Sequence, residues 1–207
     1  MNTTNEFTYL ALGDSYTIGE SVAEDERFPH QLVDAMRDHG VAVATPEIIA
    51  RTGWSTGELI NAVAGGTSLE SYDLVILLVG VNDQFRGYAP AQYEQEFPKI
   101  LATAIDLAGG DPANVVVLSI PDWGVTPFGA EYSPERIAAE IDTVNAINRR
   151  LSEAAGAAYV DITPISRRAA ADSSLIAGDN LHPSGEMYRL WVEQLIAKLR
   201  AVLVGAD

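Results

Sequence analysis

A serine follows the first strongly apolar stretch of the chain. The segment from Phe7 to Glu20 reads FTYLALGDSYTIGE, and Ser15 comes shortly after residues that favour a buried strand. A serine in this position can close a turn, cap a helix or act as a nucleophile. Nucleophilic chemistry requires a base within reach, a group that orients the base, and donors that stabilise an oxyanion. Those partners must come from other parts of the chain.

Histidine is the side chain best suited to activate a serine, and the chain contains three. His30 and His39 lie at the two ends of a predicted helix, where a structural or surface role is expected. His182 lies in GDNLHPSGE, and Asp179 three residues earlier can reach Nδ1 of its imidazole across a short loop. Pro183 disfavours helical geometry at His182 and so favours a loop there. Taken alone, Asp-x-x-His is a weak motif for catalysis.

Two positions after predicted strands offer groups that could stabilise an oxyanion. Gly53 in RTGWST supplies a backbone amide, and Asn82 in VGVND supplies a side-chain amide. Each residue also has an ordinary structural role open to it, because asparagine and glycine commonly close turns. Asp14 and Asp83 flank these positions, and we expect their carboxylates to bond loop backbone rather than to react.

The elements that must position these residues alternate along the whole chain. Apolar runs without polar alternation predict strands that are covered on both faces, hence a parallel sheet between helices. Ligands of such sheets lie outside the carboxyl ends of the strands, which places Ser15, Asn82 and the loop after Ile120 on one rim. The strands are predicted at Phe7–Leu12, within Val41–Ala50 where Pro46 shortens or interrupts one, and at Leu74–Val79, Asn114–Ile120 and Ala158–Ile162.

Helices are predicted between the strands from apolar periodicity and end signals. The first covers Pro29–Asp38, and the second begins at a Ser55–Glu58 capping box and ends at Gly65-Gly66. The other three cover about Pro90–Ala108, a long segment from Ser133-Pro134 to Gly156, and Ser184–Leu203. Pro98 lies inside the third segment and is expected to kink or split it. Ser133 is expected to cap the fourth. The chain shows no linker or repeat, which predicts a single domain over residues 1–207.

Taken together, these blocks resemble the SGNH hydrolase superfamily, also called GDSL lipases/esterases. All four blocks occur in order: GDSYT at Gly13–Thr17, Gly53 in RTGWST, GVND at Gly80–Asp83, and DNLHPSG at Asp179–Gly185. The resemblance covers almost the whole chain and implies a three-layer α/β/α sandwich of flavodoxin-like type, with a five-stranded parallel sheet. Tyr16 stands where the family name has leucine. No Gly-x-Ser-x-Gly elbow is present, which disfavours an ordinary α/β-hydrolase.

The resemblance also implies roles for individual residues. Ser15 corresponds to the nucleophile, His182 to the general base and Asp179 to its orienting carboxylate. The backbone amides of Ser15 and Gly53, with the Asn82 side chain, correspond to the oxyanion hole. Aromatic side chains on the same rim are the candidate substrate-binding residues, although packing is the commoner role of an aromatic. They are Trp54, Phe85, Trp123 and Phe128.

Charge and composition limit the classes of partner that the protein is expected to bind. A formal net charge of −16, from 29 acidic and 13 basic residues, repels phosphate backbones and anionic lipid, which disfavours nucleic acid and membranes as partners. The chain has no cysteine, and neither a signal peptide nor a membrane span is recognisable, so a cytoplasmic location is expected. No basic cluster lies near the four blocks. We therefore expect a neutral small-molecule substrate.

The predicted function is hydrolysis of carboxylic esters, with short-acyl or aryl esters favoured, through an acyl-enzyme and without a metal or organic cofactor. A thioesterase or a carbohydrate O-deacetylase would use the same three residues and stays open. A non-catalytic flavodoxin-like module for a small ligand is the alternative from another class, because fold alone does not fix function. The sequence leaves the oligomeric state open.

Overall fold

A computed structural model of the chain describes residues 6–68 and 70–203. Residues 1–5, on which the expectation about a signal peptide partly rests, lie outside the described residues. A five-stranded sheet with the order β2-β1-β3-β4-β5 forms the centre, and every adjacent pair of strands is parallel. The strands are β1 (Tyr9–Gly13), β2 (Glu47–Ala50), β3 (Leu74–Leu78), β4 (Val115–Leu118) and β5 (Ala158–Val160).

Eight α-helices surround this sheet in the described residues. They are α1 (Ser15–Ile18), α2 (Phe28–Asp38), α3 (Thr56–Val63), α4 (Val81–Phe85), α5 (Pro90–Leu107), α6 (Pro134–Ala155), α7 (Thr163–Arg167) and α8 (Gly185–Leu203). The strand order reverses direction after β2, and crossovers between parallel strands are right-handed. Helix α2 therefore lies on one face of the sheet, where it packs on α8, while α3, α5 and α6 pack on the other. The predicted three-layer α/β/α architecture is confirmed.

The sheet is fully apolar where it meets both helical layers. Every residue of β1, β3 and β4 is buried, which explains why these segments show no alternation of apolar and polar residues. The edge strands β2 and β5 are only partly buried. The core thus lies on both faces of the three central strands, and two of them, β1 and β3, lead directly to the candidate serine and asparagine.

Most predicted boundaries agree with the structure to within a few residues, and the capping box of α3 is confirmed. The Ser55 amide donates to Glu58 Oε2 at 2.8 Å, and Ser55 Oγ accepts from the Glu58 amide at 3.4 Å. The short second strand is confirmed as well, because Pro46 separates an isolated bridge at Val43 from β2. Gly156 ends α6 in the left-handed conformation, with φ of 86°.

Two local predictions differ from the structure. Helix α5 is continuous through Pro98, so the predicted split is wrong, whereas the predicted kink stays a prediction. Its buried residues Phe97 and Ile100 lie on both sides of the proline, and their packing offsets the lost hydrogen bond. Ser133 occupies the N-cap position of α6, yet its side chain makes no capping hydrogen bond. Pro134 at the first turn supplies the helical φ there instead.

The sequence does not predict the three short helices α1, α4 and α7. Helices α1 and α4 begin directly after central strands, so that Ser15 follows β1 and Asn82 follows β3 within the first turn of a helix. Within residues 6–68 and 70–203, every helix is too short or too polar to span a lipid bilayer.

Candidate active site

Ser15 is held at the carboxyl edge of the sheet by a tight strand-to-helix turn. A Cβ at Gly13 would collide with the Leu78 carbonyl, so only glycine allows β1 and β3 to approach this closely before the turn. Asp14 caps α1, and its Oδ1 accepts from the Tyr16 amide at 3.0 Å. The serine is buried except for 5% of its surface. Its hydroxyl therefore has a fixed direction.

His182 reaches this hydroxyl from the loop before α8. The loop closes on itself, because the Ala177 amide donates to the His182 carbonyl at 2.8 Å and Asn180 adopts a left-handed φ of 64°. This turn places His182 Nε2 at 2.9 Å from Ser15 Oγ. The Tyr16 ring packs against the imidazole, with centroids 5.3 Å apart. Two residues that are 167 positions apart in the chain are thus in direct contact.

Asp179 orients the imidazole from the opposite side. Its Oδ2 lies 2.5 Å from His182 Nδ1 and accepts from Ser21 Oγ at 2.8 Å, while its Oδ1 accepts from the amides of Leu181 and His182 at 3.0 and 2.9 Å. Burial alone would raise the pKa of Asp179, but hydrogen bonds, above all from His182, outweigh it and lower the pKa to about 2. An ionised carboxylate only accepts, so Nδ1 carries the proton and Nε2 is free to accept from Ser15.

Two backbone amides of this region are unpaired. The N–H groups of Ser15 and Gly53 donate to no acceptor within residues 6–68 and 70–203, and both residues line one pocket. Gly53 has a left-handed φ of 87°, which glycine adopts without strain. Arg86 holds this loop in place, since its Nη2 donates to the Gly53 carbonyl at 2.5 Å and its Nη1 to Glu58 Oε2 at 2.9 Å.

The Asn82 side chain lines the same pocket from the first turn of α4. One N–H donates to the Trp54 carbonyl at 3.0 Å, and Asp14 Oδ2 lies 3.5 Å from the same nitrogen, at the limit of a hydrogen bond. The first contact fixes the amide plane. The second is so long that a closer acceptor in the pocket would compete with it for the remaining N–H.

The aspartates beside the site bond loop backbone, as expected from the sequence. Asp83 Oδ2 accepts from the Thr56 amide at 2.9 Å and from its hydroxyl at 3.1 Å, which ties α4 to α3. Burial, reinforced by the nearby Asp83 charge and only partly offset by the Tyr16 hydrogen bond, raises the pKa of Asp14 to about 8. Burial thus favours the neutral form of the Asp14 carboxyl.

A pocket of about 140 Å³ opens above Ser15 and His182. Phe85, Trp123 and Phe128 line it, as predicted from their place on the rim. Trp54 is not among the lining residues, and its partly buried side chain packs on the hydrophobic core, so a role of Trp54 in substrate binding stays a prediction. Lining residues that the sequence reasoning missed stand next to the predicted site residues in the chain, which was a usable signal. They are Tyr16, Thr52, Val81 and Leu181.

The sequence also matches a known protein family over most of its length. A sequence model of the GDSL-like lipase/acylhydrolase family matches residues 11–190, nearly the whole of the described fold. The chain belongs to this GDSL family. The resemblance drawn from the four sequence blocks is therefore confirmed, and the matched range contains both the GDSYT block and the DNLHPSG block.

Individual relatives of this GDSL protein share only a small fraction of its sequence. An arylesterase of Vibrio mimicus is 30% identical over 120 residues, and the chain spans about half of that relative, 56% of its length. The esterase EstA of a Pseudoalteromonas species has 16% identity and a TM-score of 0.71 over 96% of this chain and 99% of that one. A lipase/acylhydrolase of Enterococcus faecalis has 17% identity and a TM-score of 0.73 over 95% and 96%. These structures confirm the flavodoxin-like fold.

Proposed function

We propose that this protein hydrolyses carboxylic esters through Ser15, His182 and Asp179. The observation that carries the proposal is the continuous chain from Asp179 Oδ2 to His182 Nδ1 at 2.5 Å and from His182 Nε2 to Ser15 Oγ at 2.9 Å, which ends in a pocket. Membership of the GDSL family and the similarity to an arylesterase support the same activity. A module that only binds a ligand would have no use for a base aligned on a buried serine.

In the proposed reaction Ser15 Oγ attacks the ester carbonyl carbon while His182 Nε2 takes the hydroxyl proton. The carbonyl oxygen becomes an oxyanion, which accepts hydrogen bonds from the Ser15 and Gly53 amides and from Asn82. The tetrahedral species collapses, the alcohol leaves with the proton from His182, and an acyl-Ser15 ester remains. Water, deprotonated by His182, then attacks this ester and releases the acid.

We infer that the acyl group is short or aromatic. The pocket volume of about 140 Å³ is below the roughly 300–1,000 Å³ typical of sites for drug-sized ligands. Phe85, Trp123 and Phe128 give it an apolar wall that favours groups which shed water on binding. Thioesters and acetylated sugars present the same kind of carbonyl to the same residues. An assay must therefore compare substrates that differ in their leaving group.

Active-site labelling tests the proposal directly. A fluorophosphonate should modify wild-type protein once, and peptide mapping should place the adduct on Ser15. Ser15→Ala should stay folded and take no label, whereas Ser173→Ala, a surface serine without a role in the site, should label like the wild type. A panel of aryl ester, alkyl ester, thioester and acetylated sugar then identifies the substrate class. Near-native ester turnover by folded Ser15→Ala would falsify the mechanism.

A further inference from the structure

A second cavity adjoins the candidate acyl pocket. It has a volume of about 200 Å³ and shares Phe85 and Trp123 with the first pocket. Phe128 lines only the first pocket, and Tyr132 and Ser133 line only the second. Two rings are therefore common to the walls of both cavities, and each cavity has further lining residues of its own.

The polar groups around the second cavity are already paired with one another. Gln84 Nε2 donates to Glu140 Oε2 at 2.7 Å, and Arg136 Nε donates to Glu140 Oε1 at 2.8 Å. Gln84 Oε1 accepts from the indole N–H of Trp123 at 2.7 Å. Because these charges and dipoles satisfy each other, the cavity offers mainly its aromatic surface to a ligand. An apolar chain fits that surface better than an ion does.

The two rings common to both cavities differ in how firmly they are held. Trp123 is only 4% exposed and is anchored by the hydrogen bond to Gln84. Phe85 is 48% exposed and has no polar atom to anchor it. Its ring meets Trp123 edge-on at 5.4 Å and lies 6.4 Å from Phe128 and 6.2 Å from Tyr132, between centroids. Phe85 thus stands between a ring of the first pocket and a ring of the second.

We propose that Phe85 determines acyl-chain length by closing the end of the acyl pocket, and that the second cavity accepts the distal part of a longer apolar chain once this ring is removed or turned outward. The inference rests on the proposed ester hydrolysis. Phe85 is the last residue of α4, one turn after Asn82, so the chain-length limit and an oxyanion donor are carried by the same short helix.

The ratio of kcat/KM for p-nitrophenyl octanoate to that for p-nitrophenyl butyrate tests the proposal. Phe85→Ala should raise this ratio by at least about tenfold, because several methylenes gain an apolar site. Phe128→Ala is the comparison variant: it removes a ring that lines the first pocket and packs on Tyr132 at 5.4 Å between centroids but does not line the second cavity, and it should change the ratio less than about threefold. The double variant Phe85→Ala/Ser133→Phe should lose the gain, because a ring placed at Ser133 refills the second cavity.

Position 133 suits this refilling because the Ser133 side chain is exposed and makes no capping hydrogen bond. Thermal unfolding shows which variants are folded, and Phe85→Leu replaces Phe85→Ala if the latter is not. Labelling of Ser15 by butyl- and octylphosphonate esters, followed by intact mass, repeats the comparison without turnover.

A folded Phe85 variant that hydrolyses butyrate with an unchanged octanoate ratio would overturn the role of Phe85 and leave ester hydrolysis intact. A gain that survives the Ser133→Phe change would overturn the role of the second cavity. If wild-type protein neither hydrolyses an ester nor takes a phosphonate on Ser15, the proposed function itself fails, and the chain-length inference fails with it.

Discussion

The site has two parts that are built in different ways. One is the hydrogen-bonded chain from Asp179 through His182 to Ser15. The other is the aromatic wall, which consists of Phe85, Trp123, Phe128 and Tyr132. In the chain, each polar atom has a partner at a defined distance, and four hydrogen bonds converge on Asp179. In the wall, rings meet at centroid distances of 5.3 to 6.4 Å, and Trp123 also has a polar anchor. Directional bonds fix the chain tightly, whereas packing leaves the wall adjustable. We therefore expect substitutions in the chain to change the chemical step and substitutions in the wall to change the choice of substrate.

The largest expected effect comes from breaking the chain. His182→Ala and Asp179→Ala should each lower kcat by about 10⁴-fold or more, with His182 the more damaging, because other polar groups or water can partly orient an imidazole. The double variant should be little worse than His182→Ala alone, because the two residues act as a unit. Single-turnover kinetics on all three variants measure this. Losses that multiply in the double variant would show that the residues act independently.

A smaller loss is expected from the oxyanion side. Asn82→Ala should lower kcat by about 10²–10³ with little change in KM, since the side chain bonds mainly to charge that develops in the transition state. Steady-state kinetics on a short aryl ester separate the two parameters. Asn61→Ala, an exposed asparagine of α3, is the control and should behave like the wild type. An Asn82 variant whose KM rises while kcat holds would place this residue with the substrate-binding wall instead.

Trp54 gives an intermediate test, because it stands next to Gly53 in the chain but packs on the core rather than in the pocket. Trp54→Leu should lower the free energy of unfolding by about 1–3 kcal/mol through lost packing, and KM should change less than about twofold. Chemical denaturation and steady-state kinetics measure the two quantities. A large rise in KM without a loss of stability would return Trp54 to the wall.

The same contrast explains what could be predicted from the sequence. Ser15 and His182 lie in short sequence blocks whose local geometry can be predicted from the neighbouring residues. Ser15 follows a strand end, and His182 lies in a loop that a proline bounds. The wall depends on the segment between β4 and α6, which forms short 3₁₀ turns at Trp123–Val125 and Gly129–Glu131 without any periodic pattern. It is tied to the His182 loop by one bond, from the Phe128 amide to the Asn180 carbonyl. Such a contact leaves no sequence signal, so Tyr132 and the second cavity were missed.

The smallest expected effect concerns the charge of the substrate. The net charge of −16 lowers the local concentration of anionic substrates. This effect is strongest at low salt, because the Debye length falls from about 30 Å at 0.01 M salt to about 8 Å at 0.15 M. Two arginines near Gly53 could oppose it. Arg86 is already bonded to the Gly53 carbonyl and to Glu58, which leaves exposed Arg51 as the cation able to receive a carboxylate.

We therefore expect kcat/KM for a neutral ester to exceed that for a carboxylate-bearing analogue of the same acyl group by about threefold at 0.01 M salt, and the gap to narrow at 0.15 M. Arg51→Gln should widen the gap at low salt if this side chain attracts the anion, and leave it unchanged if the field of the whole surface dominates. Parallel measurements on both esters at the two salt concentrations decide. A preference of the wild-type protein for the anionic ester at low salt would contradict the field argument, and loss of that preference in Arg51→Gln would assign it to this one side chain.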